Sequence, residues 1–213
     1  MWLGGDSGTE MLQNPHAVQN LVDALNEYSN IQADFSARLP LSSRELLDTP
    51  WVFVPPMVFT LTEGELENLG RYLQAGGFLL LDAAGGVGGD VDAFFRQMVK
   101  DALGKVGKEA QFSRLPQDHP IYHSFFDFYR PPGGGTGASG VRIDYLMGVE
   151  VDRRLAVVLS YQSLAYYWEN VGNRNDRKYY TDNARYLQFG INTIVFALTQ
   201  QGSITNRVMQ TVK

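Results

Sequence analysis

Residues 61–82 read LTEGELENLGRYLQAGGFLLLD, and this stretch decides the fold because it contains one complete helix-to-strand unit. Thr62 is suited to cap a helix, and glycine at Gly76 and Gly77 readily takes the left-handed conformation that ends one. Between them, apolar side chains recur at helical spacing along one face: Leu66, Leu69, Tyr72 and Leu73. The apolar run over 78–81 has no polar alternation, which predicts a strand covered on both faces.

Further helix and strand signals alternate on both sides of this unit. Strands are predicted over residues 33–39 and 51–54, with the stub of another at 1–3; helices are predicted from Asn14 onward and over 91–103. Three helix and strand pairs in alternation predict an α/β fold with a mostly parallel central sheet between helical layers. Residues 141–149 and 155–161 are predicted to form an antiparallel hairpin at the edge of that sheet.

The remaining segments are predicted from their composition. Residues 116–133 are expected to form an ordered loop, and the region 170–182, rich in Asn, Arg and Tyr, a surface loop or lid. Residues 183–199 have the apolar spacing of a long helix that packs on the sheet. We expect residues 1–213 to fold as a single domain, with 200–213 as an exposed C-terminal tail.

The composition excludes several classes of function. The chain has 213 residues and no cysteine, so it has no cysteine nucleophile, no thiolate metal ligand and no disulfide. Its formal net charge of -5 argues against a nucleic-acid-binding protein, which would present a basic face. No apolar run approaches the roughly 18 residues of a membrane span. Neither a cofactor nor a metal site is predicted, although a site for Mg²⁺ or Ca²⁺ made of carboxylates alone stays open.

The carboxyl ends of the predicted strands are the first candidate site. Ligands of open α/β sheets bind beyond these ends, where Asp6, residues 55–57 and residues 82–90 are expected to converge. Gly5, next to Asp6, is a further candidate for ligand contact. Asp82 is interpreted either as a site residue or as the cap of a turn or helix. The glycine-rich turn that follows, with Gly85 and Gly86, either presents backbone amides to an anion or serves only to reverse the chain tightly.

His119 is the candidate general base. It lies between Asp118 and Pro120, so the neighbouring acid could set its tautomer and raise its basicity. The alternative is that this sequence only satisfies a turn.

Aromatic residues flank the Asn-rich region and suggest a second surface. Rings beside amide and arginine donors suit stacking on sugars or packing against a partner protein. The candidates for partner contact are Tyr167, Trp168, Tyr179 and Tyr180. The alternative interpretation is that these rings pack at the sheet edge under a lid.

Four segments together resemble a known bacterial family: Gly4-Gly5-Asp6, Leu69 to Asp82, Asp118-His119-Pro120-Ile121 and Phe189-Gly190-Ile191-Asn192. The pattern is similar to domain of unknown function 4159, placed among the class I glutamine amidotransferase-like folds. The resemblance implies a flavodoxin-like three-layer sandwich and frequent export, here to the periplasm, or association with membrane-anchored von Willebrand-type modules, but no established reaction. Related trehalose-utilisation-like domains carry a similar His-Pro-Ile, which makes carbohydrate a candidate ligand. Without a cysteine, glutamine hydrolysis by the superfamily's usual mechanism is excluded.

Two functional hypotheses follow. The preferred one is a non-catalytic domain that binds a small polar ligand or a protein partner, as part of a cell-envelope assembly. The alternative is a hydrolase or lyase acting on a small polar or carbohydrate substrate, with His119 as base and Asp6 or Asp82 as its acidic partner.

Overall fold

A computed structural model describes residues 2–4, 14–34, 38–133, 135–136, 142–170 and 177–211. Its helices are α1 (Ala17–Tyr28), α2 (Glu63–Gln74), α3 (Asp90–Lys105), α4 (Leu164–Glu169), α5 (Arg177–Thr199) and α6 (Ile204–Thr211). Its strands are β1 (Trp2–Gly4), β2 (Arg38–Pro40), β3 (Trp51–Val54), β4 (Phe78–Asp82), β5 (Ser113–Arg114), β6 (Gly135–Thr136), β7 (Arg142–Ile143), β8 (Met147–Val151) and β9 (Arg154–Ser160). Short 3₁₀ helices cover Arg44–Asp48 and Pro120–Tyr122.

Within the described chain, seven strands form one sheet in the order β2-β1-β3-β4-β9-β8-β5. The five neighbouring strands β2, β1, β3, β4 and β9 pair in parallel, whereas β8 is antiparallel to both β9 and β5. The prediction of an α/β fold with a mostly parallel sheet and an antiparallel hairpin is therefore confirmed. The two-residue β5 lies outside the hairpin, and β6 and β7 form a separate ribbon, so the strand predicted over 141–149 is divided.

The core has two parts because side chains of β4 alternate between the faces of the sheet. Phe78 and Leu80 belong to a cluster with α1, α4 and α5, whereas Leu79 and Leu81 belong to a cluster with α2, α3 and the first residue of α6. All five residues of β4 have 0% exposure, as the unbroken apolar run predicts.

The start and end of α2 follow the sequence signals. Thr62 Oγ1 accepts the N–H of Glu65 at 3.2 Å, and the Glu65 carboxylate accepts the N–H of Thr62 at 2.7 Å, which completes a capping box. Gly76 follows the helix with φ of +103°, the left-handed conformation that closes it.

Three segments differ from the sequence-based expectations. Helix α5 begins at Arg177 rather than at Asn183, because residues 177–182 lack apolar periodicity but contain no Gly or Pro to stop a helix. The strand expected over 33–39 is observed at 38–40, with 35–37 outside the described residues. Part of the predicted tail forms α6, whose first residue is buried while Val208 and Met209 are exposed. None of the described helices has the length and apolarity needed to cross a membrane.

The contact between α2 and α3 gives a test of this packing. A Cβ at Gly70 would lie 2.1 Å from the carbonyl oxygen of Ala102, so the two helices depend on a glycine there. We expect Gly70→Ala to lower the free energy of unfolding by about 1–3 kcal/mol, measured by urea denaturation. Gly64→Ala on the same helix is the control, since a Cβ there meets nothing within 4 Å, and it should stabilise by up to about 1 kcal/mol. Equal effects of the two substitutions would contradict the close approach.

Candidate functional site

Asp82 ends β4 and its carboxyl group is completely buried. Oδ2 accepts the N–H of Ala165 at 2.9 Å, at the start of α4. Burial raises the pKa of Asp82 to about 7, and hydrogen bonds from the backbone of residues 163–165 oppose that rise. Oδ1 has no hydrogen-bond partner among the described residues. Asp82 thus caps α4, one of the two roles that the sequence left open, and it does so with one oxygen unsatisfied.

Ser163 explains how the start of α4 turns its backbone amides towards one carboxyl group. It lies between β9 and α4 with φ of +55°, an uncommon conformation for a residue other than glycine. A left-handed residue followed by right-handed ones turns successive N–H groups towards one point and forms an anion-binding nest. The carboxyl group of Asp82 occupies this nest, so the protein itself supplies the hydrogen-bond acceptor there.

The glycine-rich turn uses several of its amides within the protein. Gly86 N donates to Ala83 O at 3.2 Å, and Gly88 N donates to the carboxylate of Asp92 at 2.9 Å. Gly85 and Gly86 have φ of +109° and +94°, which a tight reversal of the chain requires. A bound anion would have to compete with these internal acceptors, so the geometry favours chain reversal over an anion cradle.

His119 caps the 3₁₀ helix at Pro120–Tyr122. Its Nδ1 accepts the N–H of Ile121 at 3.2 Å, and its ring packs 5.4 Å from the ring of Phe196 on α5. Burial lowers the pKa of His119, while the negative charges of Glu150 and Asp118 act in the opposite direction. Asp118 itself is exposed. The histidine therefore has the structural role that the turn interpretation describes.

No hydrogen bond joins His119 to Asp82, and the two residues are engaged with different parts of the described chain. The Phe196 ring that contacts His119 lies 5.9 Å from the ring of Phe78, which begins β4, whereas Asp82 ends the same strand. Four residue steps at about 3.3 Å separate the two ends by roughly 13 Å. Gly5 and Asp6, the other candidates at the strand ends, lie outside the described residues.

The predicted aromatic surface is only partly retained. The prediction that Trp168 contacts a partner is wrong, because Trp168 is a core residue. It is 0% exposed, and its ring lies 4.8 Å from that of Phe53. Its indole N–H donates to Tyr186 O at 2.9 Å. The side chains of Tyr179 and Tyr180 lie outside the described part of the structure. Tyr167 is partly exposed and lines a cleft that the sequence did not predict.

This cleft, which we call the Arg–Tyr cleft, has a volume of about 500 Å³ and lies between α4, α5, β7 and the loop 128–133. Its lining consists of three arginines, four aromatic residues and a turn with two prolines: Arg130, Arg142, Arg185, Phe128, Tyr129, Tyr167, Tyr186, Pro131, Pro132 and Gly133. No sequence signal links the three arginines, because they come from a loop, a short strand and a helix.

Among the described residues, no carboxylate pairs with the arginines of the Arg–Tyr cleft. Arg142 donates to the carbonyl oxygen of Gly133, and Arg185 donates to Gln188 Oε1 at 2.9 Å and Asp127 O at 3.2 Å. Among the described residues, neither of them nor Arg130 forms an ion pair with a carboxylate. Over the described part of the chain, the cleft thus carries positive charge without a paired carboxylate.

Aromatic rings supply the other surface of the Arg–Tyr cleft. Tyr167 stacks on Tyr186 with ring centroids 3.7 Å apart and an interplanar angle of 16°, which gives a rigid platform. Tyr129 at the rim is 87% exposed. Guanidinium groups bind carboxylate, sulfate or phosphate with paired hydrogen bonds, and aromatic rings stack on flat or ring-shaped ligands. Over the described residues, no group of three His, Asp or Glu side chains converges as a metal site.

Comparison with known proteins identifies one family. The family model described as a domain of unknown function (DUF4159) matches residues 5–198. No curated protein matches the chain.

The buried Asp82 predicts a specific dependence of stability on pH. Because its folded pKa is about 7 and its ordinary value 3.8, only the unfolded chain releases this proton between these values, so stability falls as pH rises. Between pH 5 and pH 7, the free energy of unfolding of the wild type should fall by on the order of 2 kcal/mol relative to that of Asp82→Asn. Urea denaturation at each pH measures this difference. The exposed Asp118→Asn variant is the control and should follow the wild type. Parallel curves for the wild type and Asp82→Asn would show that the carboxyl group titrates normally.

Proposed function

Because the chain belongs to the DUF4159 family, whose function is unknown, we propose a function from the geometry: a non-catalytic binding domain that holds an anionic, ring-bearing ligand in the Arg–Tyr cleft. The observation that carries this proposal is the set of three arginines around the cleft without a carboxylate partner among the described residues. In a chain whose net charge is -5, such a local excess of positive charge favours a ligand that brings the missing negative charge.

An acidic saccharide is the ligand class that fits both surfaces of the Arg–Tyr cleft. Its carboxylate would pair with the guanidinium groups, and the apolar face of a sugar ring would lie on Tyr129 or on the partly exposed Tyr167. The volume of about 500 Å³ lies in the range of small-ligand sites and accommodates a short oligosaccharide. The resemblance of the His-Pro-Ile segment to trehalose-utilisation-like domains supports the same choice.

The position of His119 favours binding over catalysis. The alternative hydrolase or lyase needs His119 and an aspartate within hydrogen-bond reach, about 3 Å, in its reacting complex. His119 is engaged at a turn near the amino end of β4, and Asp82 caps α4 at the carboxyl end. No observation on the described residues supports a shared proton between them.

The wider biological setting is proposed from the family resemblance. We infer a flavodoxin-like three-layer arrangement within the glutamine amidotransferase-like superfamily, which the helices on both sides of a mostly parallel sheet support. We also infer an extracytoplasmic role, in which the bound saccharide or a protein partner connects the domain to a cell-envelope assembly.

Isothermal titration calorimetry with trigalacturonate and with the neutral maltotriose tests this function. We expect the wild type to bind trigalacturonate but not maltotriose. The variants Arg142→Gln and Arg185→Gln should each bind trigalacturonate about 10-fold to 100-fold more weakly, because each removes a charged hydrogen-bond donor. Arg71→Gln is the matched control, since Arg71 lies on α2, on the opposite side of the sheet, and pairs with Glu67.

A variant that retains all three arginines separates shape from charge. A Cβ at Gly133 would lie 1.8 Å from the hydroxyl oxygen of Tyr186. Gly133→Ala should therefore distort the Arg–Tyr cleft and lower the affinity for trigalacturonate. Equal binding of the neutral trisaccharide would contradict the anionic specificity. Unchanged affinity in the arginine variants, or no binding of either sugar, would contradict the proposed site and ligand.

A further inference from the structure

A second group of arginines lies far from the Arg–Tyr cleft, at the amino end of β9. A hollow of about 580 Å³, here called the α6 pocket, is bordered by the turn between β8 and β9, the end of α2 and the segment that leads into α6. Arg153, Arg154 and Arg207 line it together with the amide side chains of Gln74 and Gln201.

Arg154 forms the buried floor of the α6 pocket. Its guanidinium donates to Gly77 O at 2.9 Å and to Leu73 O, so it satisfies carbonyl groups at the end of α2 and is held in place. The residue is only 9% exposed. Burial lowers the pKa of Arg154 to about 10, Tyr72 opposes this effect and the charge of Arg207 adds to it. The arginines are therefore close enough to repel one another.

The side chains of the other two arginines of the α6 pocket have no partner in the described part of the chain. Among the described residues, no ion pair or side-chain hydrogen bond engages Arg153 or Arg207. The single carboxylate in the lining, Asp152, forms an ion pair with Lys108 at 2.7 Å, and its charge also acts on Arg154. Among the described lining residues, three arginines therefore face one carboxylate, and positive charge is in excess.

The backbone of the turn gives an independent reason to look for a function. Asp152 and Arg153 have φ of +52° and +65°, the conformation of a two-residue hairpin turn in which Asn-Gly is preferred. A left-handed conformation costs a residue with a Cβ stability that glycine would keep. Strain of this kind that persists at a charged residue points to a role for the side chain.

We propose that the α6 pocket binds a phosphate or sulfate group, contacted by the guanidinium groups of Arg153 and Arg207 above the fixed Arg154. A tetrahedral dianion matches the charge of two unpaired guanidinium groups better than a single carboxylate does. Its several oxygens also provide acceptors for the amide groups of Gln74 and Gln201. This site is independent of the Arg–Tyr cleft and of the saccharide proposed there.

Thermal unfolding with inorganic phosphate tests the α6 pocket, with sodium chloride adjusted to constant ionic strength. For the wild type we expect a saturable rise in the unfolding midpoint, of about 5–10 °C at 100 times the dissociation constant. Arg207→Gln should weaken phosphate binding by at least about tenfold.

Arg153→Gly is the decisive variant because strain and binding predict opposite effects. Without phosphate, its unfolding midpoint should lie about 2–4 °C above that of the wild type, since glycine adopts the left-handed conformation without strain. In phosphate it should lose at least about tenfold in affinity. A variant that is more stable but binds phosphate as well as the wild type would overturn the proposal.

Three further measurements identify the site and the source of the ligand. Arg44→Gln, an exposed arginine outside both arginine sites, should bind phosphate like the wild type. Loss of the phosphate effect in Arg142→Gln but not in Arg153→Gly would move the anion to the Arg–Tyr cleft and overturn the proposal, as would the absence of any saturable effect. Tighter binding of glycerol phosphate than of inorganic phosphate would indicate a phosphate ester as the ligand; equal binding would indicate the free ion.

Discussion

The complete burial of β4 is the constraint on which the rest of the structure depends. A strand covered on both faces has no contact with water, so polar groups at its two ends must find partners within the protein. At the amino end, the hydroxyl of Tyr72 donates to Phe78 O at 2.8 Å and accepts the N–H of Phe78 at 3.0 Å. At the carboxyl end, the carboxyl group of Asp82 accepts the N–H of Ala165. Each end thereby joins β4 to a helix, α2 at one end and α4 at the other.

The hydrogen bonds at the two ends of β4 bear on where the proposed ligands would bind. Open α/β sheets usually bind ligands beyond the carboxyl ends of their strands, but here Asp82 fills the amide nest at the start of α4. The cleft in which we propose a ligand lies to one side, between α4, α5 and the loop 128–133. At the amino end, the need to satisfy the last carbonyls of α2 holds Arg154 in position and creates the floor of the α6 pocket. In both places the site results from the way a buried strand is terminated.

The sequence predicted what is determined locally. The capping box at Thr62, the all-apolar strands β3 and β4 and the inward face of α3 are each encoded within a few residues, because burial and hydrogen bonding repeat with the period of the element. Contacts between distant segments were not predictable. The burial of Trp168 depends on Phe53 and Tyr186, and the Arg–Tyr cleft needs Arg130, Arg142 and Arg185 to converge from three elements. Periodicity also could not identify the polar first turns of α5, whose start at Arg177 carries no apolar pattern.

Net charge and local charge therefore answer different questions about this protein. A net charge of -5 opposes binding to an extended polyanion, because every additional phosphate group meets the field of the whole surface. A small anion is different, since its few charges are matched by the two or three guanidinium groups that it contacts. Under the two proposals, the acidic remainder of the surface would add selectivity: it would repel long nucleic acids, whereas the Arg–Tyr cleft and the α6 pocket would attract compact anions. The exclusion of nucleic acid from composition and the proposal of anionic ligands from geometry are thus consistent.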